Sequence, residues 1–270
     1  MRHLIALVLF FYAFAAKATV DTLSVFSAQM NKPVKVVVIQ PDQSDKTKPL
    51  PVIYLLHGFG GNYASWLRDA PQLKQKANEM QALLVLPDGG RGSWYFDSPV
   101  NPSVKYESFI VNELVPFIDA NYTTIHSRTF RAITGLSMGG HGAFYLALRH
   151  KDIFGAAGSI CGGVDFRPFP ANWDLSKVLG PIDQYADNWN KNTVVNMVDS
   201  LKSGELQLIF DCGVDDFFLN VNRALHQKLG DQKVAHDYIE RPGAHNSAYW
   251  RNSIDYQLVF FKKYFSANTL

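Results

Sequence analysis

Cysteine is scarce in this sequence. Cys161 and Cys212 are the only two in 270 residues, too few to staple a disulfide scaffold, and no Cys/His spacing suits zinc. Each ends an apolar, strand-like run, so the two ends could be neighbours. The reading adopted is two buried free thiols that behave as small hydrophobes. A charge excess is missing too. Lys and Arg number 26 against 24 Asp and Glu, a net charge of +2. With no long basic run, nothing points to nucleic acid. No internal repeat and no low-complexity linker breaks the chain. At 47% hydrophobic and 19% charged residues, the composition is that of a globular protein, and a single α/β domain can reach this length.

Long hydrophobic runs are limited to one. Leu4–Ala16 is unbroken, follows Arg2, and runs into the small-x-small sequence Ala16-Lys17-Ala18. That is the pattern of a secretory signal peptide, and it is too short for a comfortable membrane span. The expectation is a signal peptide over residues 1–18 and export to the periplasm or the exterior. The mature chain, from about Thr19, is then expected to have no membrane partner.

What remains is rich in alternating elements. "PVKVVVIQP", "PVIYLLHG", "ALLVLPDGG", "TFRAITGLS", "FGAAGSICGG", "LQLIFDCG" and "VAHDYIERPG" are β-branched or continuously apolar runs that end in turn residues, as strands covered on both faces do. Helical patterns lie between them, in "SVKYESFIVNELVPFIDANY", "GGHGAFYLALRH", "FFLNVNRALHQKLG" (ended by Gly230) and "SAYWRNSIDYQLVFFKKYF". Alternation of this kind predicts βαβ units, a mostly parallel central sheet and helices on both faces. The early pair before residue 50 has no helix between its members and reads as an antiparallel start. Residues 163–200 break the rhythm with turn residues and aromatics. A long insertion of this kind is usually functional, and it reads as a small cap over a site.

The chemistry centres on "ITGLSMGGHGAF". Gly135-Leu136-Ser137-Met138-Gly139 matches G-x-S-x-G between a strand and a helix, the context of a nucleophile elbow. Glycines belong there because flanking side chains would collide with the adjacent strand and helix. An attacking serine needs a base, and the base needs an orienting acid. After Ser137, "LIFDCGVDDFF" offers Asp211, Asp215 and Asp216. Asp211 lies within the strand, Asp216 sits where the turn leaves it, and Asp215 is the reserve. Of the later histidines, His226 falls in a helix and His236 in a strand. His245 follows the Pro242-Gly243 turn and can swing to the serine. Two backbone amides should face the developing oxyanion. Met138 supplies one, and the His57–Asn62 loop supplies the other at Phe59, with Gly58 or Gly60 as alternatives. His57 braces that loop.

The stretches "YLLHGFGGNYASW", "LVLPDGGRGSWY", "RAITGLSMGGHGAFYLALRHKDIFGAAGSICG", "DCGVDDFF" and "PGAHNSAYWRNSIDYQLVFF" resemble the putative-esterase family of α/β-hydrolases. That family takes in feruloyl, tributyrin and acetyl esterases, S-formylglutathione hydrolases and mycolyltransferases. The resemblance implies an α/β-hydrolase catalytic domain over 19–270, a Ser137–Asp216–His245 triad, oxyanion donors at Phe59 and Met138, and neither metal nor cofactor. The expected activity is a serine carboxylesterase on small esters or esterified polysaccharides, feruloyl first and acetyl second. Gly60, Trp94, Tyr95, Phe166 and Trp173, with Phe169, are the expected substrate contacts, because aromatics stack on phenolic or sugar rings. The competing readings are a siderophore or short-chain esterase, an acyltransferase, a serine peptidase, and a binding module that kept the fold without the chemistry.

Overall fold

The apolar runs form one eight-stranded sheet in a computed structural model, which describes residues 19–42 and 47–268. The signal peptide expected over 1–18 lies outside the described residues. The strands are β1 (Thr19–Ser27), β2 (Lys32–Gln40), β3 (Val52–Leu56), β4 (Leu83–Pro87), β5 (Arg131–Gly135), β6 (Ala156–Ile160), β7 (Gln207–Gly213) and β8 (Asp237–Arg241). Their spatial order is β1-β2-β4-β3-β5-β6-β7-β8. β1, β2 and β4 pair antiparallel, and every pairing from β4 to β8 is parallel. The early antiparallel start and the parallel remainder are as the sequence predicts. All residues of β3, β4, β5 and β6 are buried, which explains why these strands read as continuous apolar runs.

Among the described residues ten α-helical segments accompany the sheet: α1 (Ser65–Asp69), α2 (Leu73–Met80), α3 (Tyr106–Ser108), α4 (Val115–Asn121), α5 (Met138–Arg149), α6 (Leu175–Leu179), α7 (Ala186–Asn192), α8 (Val194–Met197), α9 (Leu219–Asp231) and α10 (Ser247–Ala267). α5 packs on β5 and β6, and α10 on β6 and β7. A π-helical turn, Phe109–Leu114, joins α3 to α4. Pro116 near the start of α4 has no N–H to donate there, and a lost ladder bond of this kind favours such a bulge. α1 and α2 carry no readable sequence signal, since both are short and neither has a side-chain cap. α9 runs one residue past Gly230, and His236 precedes β8 rather than lying in it. The irregular 163–200 insertion contains α6, α7 and α8, anchored by the buried Trp189, whose indole N–H donates to the Gly180 carbonyl (2.9 Å).

Candidate active site

Ser137 stands between β5 and α5 with φ 56°. A non-glycine residue held there stores about 1–3 kcal/mol of strain. The turn closes because its neighbours lack side chains. A Cβ on Gly135 would come within 2.5 Å of the Gly139 carbonyl oxygen. One on Gly139 would run into the Leu56 carbonyl oxygen and come within 2.6 Å of that of His57. These obstacles are backbone and cannot swing aside. We therefore expect Gly139→Ala to cost at least ~3 kcal/mol. Gly230→Ala, exposed on α9 with nothing within 4 Å of its added Cβ, should stabilise by up to ~1 kcal/mol. Denaturant midpoints check the pair. A wild-type midpoint for Gly139→Ala would contradict this packing.

His245 reaches the serine from the loop between β8 and α10. Its Nε2 lies 2.9 Å from Ser137 Oγ, and its Nδ1 lies 2.7 Å from Asp216 Oδ2. A carboxylate accepts, so Nδ1 carries the donated proton and Nε2 is left to take the hydroxyl's. Asp216 is buried and also accepts from the Phe218 N–H (2.8 Å). Asp215 is exposed and off the relay. Its backbone N–H donates to the Gly243 carbonyl (2.9 Å), which ties the acid turn to the histidine loop. Gly213 makes that approach possible, because a Cβ there would strike the Gly243 carbonyl.

Asp211 has a different place. It is fully buried in β7, 3.0 Å from Arg241 Nη2, and it accepts from Ser253 Oγ (2.5 Å) and Gln257 Nε2 (3.0 Å). Arg241 precedes the His245 loop, and Ser253 and Gln257 follow it. One buried carboxylate thus pins both flanks of the loop. Burial pushes its pKa up, opposed by Arg241 and its hydrogen bonds.

The oxyanion loop is shaped by its own hydrogen bonds. The Gly60 N–H is taken by the Arg91 carbonyl (2.7 Å) and that of Gly61 by the Gly58 carbonyl (3.1 Å). This removes Gly60 as an amide donor and leaves Phe59 and Gly58, both of which line the cavity. Met138 opens α5, so its N–H has no intrahelical acceptor. His57 braces the loop as expected. Nε2 accepts from the Gly89 N–H (2.8 Å), and Nδ1 lies 2.8 Å from the Gly58 carbonyl. Its pKa is lowered, chiefly by burial, which suits a neutral strut.

A cavity of about 430 Å³ opens over Ser137. Of the expected contacts, Gly60 and Trp173 line it, beside the expected oxyanion donor Phe59. Trp94, Tyr95 and Phe166 do not. All three are buried, Phe166 within the 163–200 segment and packed against Trp94, where large rings remove more apolar surface from water than they could at a cleft. Trp94 supports the site from below, since its indole N–H donates to the Trp173 carbonyl (3.1 Å). Phe169 lies off the cavity lining and packs against Trp173 and Phe218 at ring separations of 5.4 and 5.3 Å. The sequence reading missed Phe217 and Trp250. Phe217 lies tilted over the His245 ring at 4.3 Å and stacks on Trp173 at 5.6 Å. Trp250 meets His245 edge-on at 5.3 Å. Their signal was proximity to Asp216 and His245 in "DDFF" and "HNSAYW". Arg68 and Asp69 line the cavity near Trp250, paired at 2.9 Å.

Both cysteines are free and buried. Cys161 lies beneath the relay, its sulfur within 4.8 Å of ligand-type atoms of Asp216 and His245. Burial pushes the thiol's pKa far up, so it stays protonated.

The family model described as "Putative esterase" matches residues 27–261. The chain belongs to this esterase family. An esterase of Mycobacterium tuberculosis is 28% identical over 235 residues, covering 77% of this chain and 51% of that protein. The chain therefore spans about half the length of that relative. An acetyl esterase of Caldicellulosiruptor saccharolyticus is 25% identical over 252 residues, covering 86% of this chain and 94% of the relative. A solved ferulic acid esterase superposes with a TM-score of 0.80 at 28% identity, covering 92% of this chain and 99% of that one. The esterase-family sheet and helices have the α/β-hydrolase fold. No helix among the described residues is long and apolar enough to cross a membrane.

Proposed function

We propose that this chain is an exported serine carboxylesterase acting on feruloyl or acetyl esters of plant cell-wall polysaccharides, feruloyl first. The observation that carries the chemistry is the continuous Ser137–His245–Asp216 hydrogen-bonded relay at a strained elbow. Ser137 Oγ attacks the ester carbonyl carbon while His245 Nε2 takes the hydroxyl proton. The tetrahedral oxyanion is held by the Phe59 and Met138 amides, each donor worth roughly 3–4 kcal/mol. As the C–O bond to the alcohol breaks, Nε2–H returns the proton to the leaving oxygen. Water then attacks the acyl-enzyme, with His245 again as base, and Ser137 is released with the free acid. Neither half-reaction calls on a group beyond these residues and water.

The cavity walls support the choice of ester. The leaving oxygen must come within reach of His245 Nε2, beside the ring of Phe217, on which Trp173 stacks. A sugar ring stacks on such a platform. The acyl group turns toward Trp250, Ser65, Arg68 and Asp69, where a phenolic ring finds both an aromatic edge and polar partners. The leader-like residues 1–18 support export, which suits a polymer outside the cell. The test is release of acid from methyl ferulate, an acetylated xylan and a short-chain aryl acetate. Ferulate release is the expected result. Cleavage of acetates alone would move the acyl group to acetyl, and no cleavage of any of the three would overturn the esterase reading.

A further inference from the structure

A second hollow lies behind one wall of the active-site cavity. It measures about 310 Å³ and is lined by Lys32, Arg91, Lys177, Asp174, Tyr106 and Asn101, among others. The partition between the two spaces is thin. A Cβ on Gly92, in the hollow, would meet the Phe59 ring at 2.9 Å on one side and Asp174 Cβ at 3.3 Å on the other. Phe59 and Trp173 face the active-site cavity, while Asp174 follows Trp173 directly and faces the hollow. Arg91 links them again, with its guanidinium 5.0 Å from the centre of the Phe59 ring and its carbonyl holding the Gly60 N–H.

The hollow is electropositive. Asp174 is the one carboxylate of its lining, against three cations. It lies 2.8 Å from Lys177 Nζ and 3.8 Å from Arg91 Nε, so a single negative charge is shared by two cations. Lys32 Nζ donates to the Tyr106 hydroxyl (3.2 Å), which directs the tyrosine's own proton elsewhere. Gly90, at φ 67°, sits where a Cβ would come within 2.6 Å of that hydroxyl, so the backbone keeps the space around it clear. Ammonium groups with N–H donors beyond those bonds and a phenolic donor around a pocket are the chemistry that recognises a carboxylate.

We infer that this hollow is a subsite for a carboxylate-bearing sugar, a uronic acid residue, next to the esterified sugar of a polymeric substrate. The inference rests on the proposed esterase reading for its place along the polymer. The ester-bearing ring lies on Trp173, and the chain continues over the Phe59–Trp173 wall into the basic hollow. The contact forms with the substrate and is unchanged at the transition state, so it acts through KM rather than kcat.

The experiment compares one acetylated glucuronoxylan oligosaccharide in two forms, native and with its uronate carboxyl reduced to the neutral alcohol. At low salt the native form should be favoured by roughly tenfold in kcat/KM, through KM, as expected of two partly exposed charge contacts. The preference should fade between about 20 mM and about 0.5 M NaCl as the charges are screened. Lys32→Met with Lys177→Met should remove it while leaving aryl acetate turnover unchanged, and Lys32→Arg with Lys177→Arg should restore it. Calorimetric binding of the deacetylated oligosaccharides, native and reduced, reads the subsite without catalysis. Equal binding of the two forms, or a preference that survives in the double methionine variant, would overturn the subsite. Serine-independent cleavage of the aryl acetate would instead overturn the esterase reading and leave the binding result standing.

Discussion

Ser137→Ala should lower kcat on an aryl acetate by about 10⁵-fold or more while leaving the thermal transition near that of the wild type. The hydroxyl is the group that forms the covalent bond. Removing it leaves the oxyanion donors and the binding surface but no acceptor for the acyl group. The strained backbone stays strained, because alanine suffers the same clash at φ 56° as serine. Fold and nucleophile are therefore separable at this position. His245→Ala should lose nearly as much, since the serine proton then has no acceptor within 2.9 Å. The double variant should be little worse than either single one, because the two residues act as one unit. Additive losses, or substantial turnover in Ser137→Ala, would show that the ester is cleaved elsewhere. Rapid mixing with an aryl ester, read for a burst of alcohol release in the wild type alone, distinguishes acyl-enzyme formation from its hydrolysis.

The pH dependence should be displaced from that of a free histidine, and stability should run the opposite way. Burial alone lowers the pKa of His245. The hydrogen bond to Asp216, the Cys161 contact and the Asp216 charge outweigh it and push the imidazole up to about 9. The general base must be neutral to accept the serine proton. kcat/KM should therefore rise with pH to a midpoint near 9, above the ordinary value of about 6.5. The same shift acts on folding. The folded-state pKa is raised above the unfolded one, so the protonated His245–Asp216 pair contributes its full stabilisation below pH ~6.5. That contribution is lost as pH climbs through the folded value, and it amounts to about 3 kcal/mol over the window. Activity should rise while Tm falls between about pH 6.5 and 9. Asp216→Asn tests both limbs. It removes the anion and offers the wrong hydrogen-bonding partner to Nδ1, so kcat should drop by ~10⁴-fold. The activity midpoint should move down, and the Tm slope should flatten. An unshifted midpoint in Asp216→Asn would show that Asp216 does not set the histidine's proton affinity.

Much of this site can be read from residue order because its requirements are local. A strained serine needs glycines within two positions of it, and that spacing survives in any linear reading. His245 stands apart from His226 and His236 by its loop, which the Pro242-Gly243 turn announces. Residue order separates Asp216 from its neighbour Asp215 only weakly. Burial decides between them, and burial depends on how the β7 turn lies against the Gly243 carbonyl.

The aromatic assignments divided for a similar reason. Trp94, Tyr95 and Phe166 look no different in sequence from Trp173, because a ring in a glycine-rich loop carries the same letters whether it faces solvent or core. The parallel sheet, the elbow, the order of the relay and the family are all legible in residue order. Those follow from hydrophobic period, from steric exclusion at single residues and from motif spacing, all short-range properties of the chain. Three-dimensional packing sets which rings line the cavity, places Asp211 where it pins the histidine loop from both sides, puts Cys161 under the relay, and gives a basic hollow a share of the Phe59–Trp173 wall. Each of these brings together side chains far apart in the sequence, and packing between elements, which no local pattern encodes, sets their distances.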